Sequence, residues 1–118
     1  MIGGDSGVKY MNMDAQMAND LVAMMAPVTK YSTLVTDSRS LLRTLRRATK
    51  IAATPPMGPV YVCVPMDILD EINEELVIPT SIPSTRVLPD PAIIEESANI
   101  LLSADKPMIF IGDGVAYS

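Results

Sequence analysis

Residues 55–67 read Pro55-Pro56-Met57-Gly58-Pro59-Val60-Tyr61-Val62-Cys63-Val64-Pro65-Met66-Asp67. Five consecutive apolar or aromatic residues, Val60 to Val64, stand between a Gly-Pro lead-in and a Pro-Met-Asp exit. A run this apolar, with no polar alternation, predicts a strand buried on both faces, as in a parallel sheet covered by helices. Pro59 sits at the mouth of that strand, where a missing N–H does least harm to the ladder. Pro65 closes the ladder, and Asp67 is placed to cap a helical turn beginning at Ile68.

Upstream of this strand, Asp37 and Ser38 are cap candidates for a long helix running to about Thr54. Its apolar face is Leu41, Leu45, Ala48 and Ala52, flanked by Leu42 and Ile51. Opposite runs a basic stripe of Arg39, Arg43, Arg46, Arg47 and Lys50. A solvated helix face or a subunit contact is favoured for it over a phosphate or acidic partner. Before the helix, Val28–Val35 is short and β-prone. Strand, helix and buried strand together predict a βαβ crossover. Earlier still, Asp14 is a candidate cap for a helix whose face would be Met17, Leu21, Met24 and Met25, stopped by Pro27. Core packing is favoured for that Met face over an adaptable ligand surface. Residues 1–13 carry little periodicity and read like the interior of a longer chain.

Downstream, Asp70, Glu71, Glu74 and Glu75 follow the strand in a short acidic turn. Carboxylate pairs serve acid–base chemistry, but their clustering here favours a solvent-facing role. Four of the ten prolines then fall between residues 79 and 91, separated by Ser and Thr, which marks a linker over 78–90. Asp90 caps a new helix with Pro91 in its first position and Ile94, Ala98, Leu101 and Leu102 as its buried face. Met108–Ile111 is a second fully apolar strand, and it runs into Gly112-Asp113-Gly114. A strand ending in Gly-x-Gly invites a nucleotide-binding reading, but Tyr117 stands where the third glycine belongs. A plain tight turn is an equal reading.

Composition removes several chemistries. Histidine is absent, which excludes Ser-His-Asp and Cys-His triads and His-ligated zinc from these residues. Cys63 is the one cysteine, so there is neither an internal disulfide nor a thiolate metal set, in keeping with a reducing cytoplasm. A buried small hydrophobe is favoured for it over a nucleophile. The net charge of −5 argues against a nucleic-acid partner. No run approaches the roughly 20 apolar residues of a membrane span. With 4% aromatic residues and nine methionines, the core is expected to be pliable.

Taken in order, Pro27-Val28-Thr29-Lys30, Gly58-Pro59-Val60-Tyr61, Val64-Pro65-Met66-Asp67, the proline linker, Ala104-Asp105-Lys106-Pro107 and Gly112-x-Gly114 resemble the thiamine-diphosphate-dependent 2-keto-acid enzymes, the family of benzoylformate decarboxylase and acetolactate synthase. The likeness runs from about Asp14 onward. It implies an α/β fold: a partial parallel-sheet pyrimidine-binding domain, followed by the first helix and strand of a Rossmann-like central domain. Residues 1–77 correspond to the C-terminal half of the pyrimidine-binding domain, 78–90 to the linker and 91–118 to the start of the central domain. Family members are several hundred residues long, so a fragment is expected, catalytically incomplete by itself.

The resemblance also implies cofactors for the full-length parent: thiamine diphosphate and magnesium, and in some members a flavin (FAD). The activating glutamate and the magnesium-binding domain match no residues here, so no catalytic and no metal-binding residue is assigned and neither cofactor is expected on this chain alone. Gly112 and Gly114 match the turn that lies against flavin in flavin-containing members. Lys30 matches a lysine near the channel to the cofactor, where a cation would be placed to steer a 2-keto acid's carboxylate; an ordinary surface lysine is favoured over that role. The family implies a homo-oligomer. Two other readings stay open: a small non-catalytic α/β interaction module, and a Rossmann-like nucleotide-binding domain using Gly112 and Gly114.

Overall fold

The computed structural model describes residues 1–82, 84 and 86–117, with the backbone alone at 116 and 117. Pro83 and Thr85 of the expected linker lie outside the described residues. The chain divides into two units, Met1–Pro83 and Ser84–Ser118.

The first unit is built on a three-stranded parallel sheet of β1 (Ile2–Asp5), β2 (Tyr31–Leu34) and β3 (Val60–Pro65), in the order β1-β3-β2. β3 is the predicted central strand, and all six of its residues are buried. It pairs with β1 from Ile2↔Val62 to Asp5↔Pro65 and with β2 from Tyr31↔Val60 to Leu34↔Cys63. Backbone bonds from Lys30 N–H to the Pro59 carbonyl (2.7 Å) and from Val35 N–H to the Cys63 carbonyl (2.9 Å) carry the β2–β3 pairing past both ends of the ladder. The expected Val28–Val35 strand therefore shortens to Tyr31–Leu34, because Val28 closes a 3-10 turn after Pro27 instead.

Because alternate residues face opposite sides, β3 serves two environments. Val60, Val62 and Val64 join Val35, Ala48 and Ile68 in the hydrophobic core. Leu41, Leu45, Ile51 and Ala52 of helix α2 (Leu41–Ala53) pack against that cluster, as their spacing predicts. Asp37 caps the 3-10 turn that leads into α2, accepting from the Arg39 N–H at 2.9 Å. Tyr61, Cys63 and Pro65 point to the other face. There, helix α1 (Leu21–Met25) stands beside β2, with the Ser32 hydroxyl donating to the Val22 carbonyl at 2.9 Å.

Several expectations are corrected. Residues 1–13 contain β1, which Ile2-Gly3-Gly4-Asp5 conceals because two glycines carry no apolar period; pairing with β3 creates the strand. Asp14 is not a helix cap. Asp14 and Met17 have φ of 45° and 72°, outside the helical region, and the cap is Asp20, whose Oδ1 accepts from the Ala23 N–H at 2.9 Å. Met17 and Met24 are consequently exposed rather than packed. The basic stripe of α2 is solvated as expected, with Arg39, Arg43, Arg47 and Lys50 exposed. Three of these also meet partners within the chain: Arg39 pairs with Asp37 at 2.8 Å, Arg43 with Glu75 at 3.1 Å, and Arg47 lies 5.9 Å from the centre of the Tyr31 ring. Asp70, Glu71 and Glu74 face solvent as expected, while Glu75 is half-buried against Arg43.

In the second unit, α4 (Pro91–Ser103) starts where expected, with Asp90 accepting from the Ala92 N–H at 2.9 Å and Pro91 in the first turn. Its predicted buried face is exposed: Ile94 and Leu101 are 54% and 40% accessible, Leu102 84%. Met108–Ile111 forms no strand, and Phe110 is 93% accessible. A strand exists only where another lends it hydrogen-bonding partners, and the described residues of this unit contain none.

The contrast between the two units is measurable by urea denaturation. Val62→Ala, at a side chain 2% exposed, is expected to destabilise the chain by roughly 2 kcal/mol. Leu102→Ala, equally apolar but exposed, is expected to stay within about 0.5 kcal/mol of the parent.

Candidate functional site

A cleft of about 500 Å³ opens on the face of the sheet opposite α2. Leu34 and Cys63 of adjacent strands form its floor, Asp5 closes the C-terminal end of β1, and Leu21 and Val22 of α1 form one wall. Met11, Asp14, Asn19 and Asp20 stand around it. The mouth is therefore acidic and the floor apolar.

Three groups below this cleft are tightly placed. Asp5 is buried, and its Oδ1 accepts from the Ser6 N–H at 2.5 Å and the Ser6 hydroxyl at 3.1 Å. Tyr61 lies over Gly3 so closely that a Cβ there would stand 2.7 Å from the ring. Burial raises the Tyr61 phenol above its ordinary value, helped by the neighbouring Cys63 thiol and Asp5. Burial likewise pushes the Cys63 thiol up, against a smaller opposing effect of its hydrogen bond with Tyr61. A thiol 1% exposed and raised in this way has the character of a buried small hydrophobe.

Asp67 does something its position in the sequence does not reveal. The helix α3 (Met66–Leu69) begins one residue before it, and no side chain caps that helix. The Asp67 carboxylate instead accepts from the Val8 N–H at 3.0 Å and the Lys9 N–H at 3.2 Å, across nearly sixty residues of chain. Burial pushes the group up, but these backbone donors, the Ile68 N–H and the Lys9 charge together hold it below its ordinary 3.8.

Lys30, expected at a substrate channel, donates from Nζ to the Ile51 carbonyl at 2.9 Å and the Thr54 carbonyl at 2.6 Å. It thereby satisfies orphan carbonyls at the C-terminus of α2, where a cation also suits the helix dipole. Gly112 and Gly114 lie in the second unit, exposed, with open space where a Cβ would be at each. Lys30 and the cleft belong to the first unit and the glycines to the second. No cluster of metal-ligating side chains exists among the described residues. A second cleft, of about 780 Å³, lies between the start of α2 and the acidic segment, where Ser38 donates to Glu71 at 2.5 Å and Arg43 pairs with Glu75.

No protein-family model matches the chain. Curated relatives do. The chain is 29% identical over 119 residues to the acetolactate synthase isozyme 3 large subunit of Escherichia coli, covering 97% of this chain and 21% of that one. It is 28% identical over 121 residues to the probable acetolactate synthase large subunit of Methanocaldococcus jannaschii, covering 98% and 20%. The mitochondrial acetolactate synthase of Schizosaccharomyces pombe is 32% identical over 126 residues, covering 98% and 19%. The family resemblance read from the sequence holds. The chain spans about a fifth of the length of these acetolactate synthases. The same fold occurs in the benzoylformate decarboxylase of Polynucleobacter necessarius, with a TM-score of 0.71 at 22% identity over 91% of this chain and 20% of that one.

Sequence reading found the strand that floors the cleft and the residue type at position 67. It missed Asp5, because β1 itself was hidden, and it missed the partners of Asp67 and Lys30. The Gly3–Tyr61 contact had one signal available: a glycine pair beside an apolar residue near a parallel-sheet core.

Two measurements check this geometry. Gly3→Ala is expected to destabilise the chain by about 1–3 kcal/mol through overlap with Tyr61, whereas Gly4→Ala, with open space around it, changes stability by no more than about 0.5 kcal/mol. Because Asp67 is held below its ordinary value, its stabilising contribution is complete above pH 3.8 and is lost as pH falls through the lower folded value. The urea midpoint is therefore expected to fall below that pH, and to fall less steeply in Asp67→Asn.

Proposed function

We propose that this chain is a segment of a thiamine-diphosphate- and magnesium-dependent enzyme that decarboxylates or carboligates 2-keto acids. In this reading residues 1–77 are the C-terminal half of a pyrimidine-binding domain, 78–90 the linker and 91–118 the start of a central domain. The observation that carries it is the near-complete match of this chain to one stretch of acetolactate synthase large subunits. The parallel sheet, with β3 as its middle strand, supports the same reading.

No residue present is assigned to the magnesium that accompanies the cofactor. Among the described residues no set of carboxylates or other donors converges on a metal position. Asp113, in the Gly-Asp-Gly turn, stands in an exposed 3-10 turn, with open space around both of its glycines. No chemical step is therefore assigned to this chain. Its contribution is scaffold: the cleft at the C-terminal ends of the strands is the side on which open parallel sheets bind ligands. Lys30 holds the α2 terminus beside the lead-in to β3, and a channel role, if the parent uses one, would fall to the ammonium's remaining donor. Flavin contact at Gly112 and Gly114, a homo-oligomeric parent and a cytoplasmic setting belong to the same proposal.

Calorimetric titration of magnesium and thiamine diphosphate into the chain is expected to give no binding heat, and a micromolar Kd would overturn the assignment of the cofactor to other segments. Sequencing the gene on both sides supplies the independent check. A glutamate-bearing pyrimidine segment is expected upstream, and a Gly-Asp-Gly motif with a downstream asparagine beyond the central domain. In-frame flanks that encode an unrelated fold would refute the proposal.

A further inference from the structure

We propose that Asp67 and Gly7 form a latch that positions the loop after β1, and through it the Met11 side of the cleft. The contact joins the two segments that leave the C-terminal ends of the parallel strands β1 and β3, beyond the last ladder pair. β1 and β3 stop together at Asp5↔Pro65. Beyond that pair, the two chains would diverge without a bond between them. The Asp67 carboxylate, two residues past the end of β3, takes both consecutive N–H groups of Val8 and Lys9, one on each oxygen. Two successive backbone donors aimed at one carboxylate form an anion-holding concavity, here filled by the chain's own side chain.

Gly7 is what allows it. Its φ of 135° is a conformation that side-chain-bearing residues rarely adopt, and it turns the next two N–H groups toward Asp67. A Cβ at position 7 would also stand 3.1 Å from the Asp67 carboxyl carbon and 3.1 Å from the Tyr10 ring. The 3-10 turn Val8–Tyr10 follows directly, closed by Tyr10 N–H to the Gly7 carbonyl (3.0 Å) and Met11 N–H to the Val8 carbonyl (3.3 Å). Val8 packs on the hydrophobic core, and Met11 lines the cleft. Asp67 thus acts on the cleft through the turn and is a positioning residue, since it does not itself line the cleft.

The importance of the cleft rests on the proposed function; the latch does not. Hydrogen–deuterium exchange of the full chain, read residue by residue by NMR, tests it without thiamine diphosphate or a keto acid, so its failure is separate from failure of that proposal. In Asp67→Ala the Val8 and Lys9 amides are expected to exchange about tenfold or more faster, while the amides of Val62 and Ala48 keep their protection. The Met11 methyl resonance is expected to shift as its wall is released. Asp67→Asn, which keeps the shape and one acceptor oxygen, is expected to retain protection at one of the two amides, and it carries the test if the alanine variant does not fold. Unchanged exchange at Val8 and Lys9 in either variant overturns the latch. A uniform rise across β3 and α2 also overturns it, by showing a general structural role. A Met11 resonance that stays in place removes the connection to the cleft.

Discussion

Everything in the first unit depends on β3 being paired along both edges and covered on both faces. A strand so placed has little contact with water, so each of its backbone groups needs a partner and each side chain must be apolar or hydrogen-bonded. The sequence meets this demand with Val60, Val62 and Val64 toward α2 and with Tyr61, Cys63 and Pro65 toward the other side. Pro65 is tolerated because it is the last rung, opposite Asp5. The cleft exists because the second face is imperfectly filled: α1 is short, and the segment before it follows the non-helical path set by Asp14 and Met17.

The charged residues near the sheet serve mainly backbone. Asp67 holds two amides of the β1 loop, Lys30 two carbonyls of α2, Asp20 an amide of α1 and Asp37 an amide of the turn before α2. Each ion satisfies groups that the ends of secondary structure leave orphaned. That arrangement fits a chain whose described residues present no metal-ligating cluster of side chains. It also fits the proposed role, in which the cofactor carries the hard chemistry and the protein supplies position.

The second unit follows a different logic. α4 has a well-formed cap and a proline in its first turn, so its local start is satisfied. Yet Ile94, Leu102 and Phe110 remain exposed. Local capping and hydrophobic burial are separate terms, and a helix can have the first without the second. An apolar surface of this kind is the expected face of a domain whose other elements lie in neighbouring sequence, as the proposed central-domain assignment requires.

The βαβ crossover, the burial of β3, the caps at Asp37 and Asp90 and the family likeness were all legible in the residues, because they rest on periods and near-neighbour chemistry. β1 was not legible, since Ile2-Gly3-Gly4-Asp5 has no period and becomes a strand only by pairing with β3. The fates of Asp67 and Lys30 were not legible either. Position 67 announces an acceptor and position 30 a donor, but the partners sit 58 or 59 and 21 or 24 residues away. Met108–Ile111 shows the same limit from the other side, as apolar residues favour a strand without supplying the neighbour that makes one. Local sequence sets what each segment is able to bond; folding decides which distant group arrives to meet it.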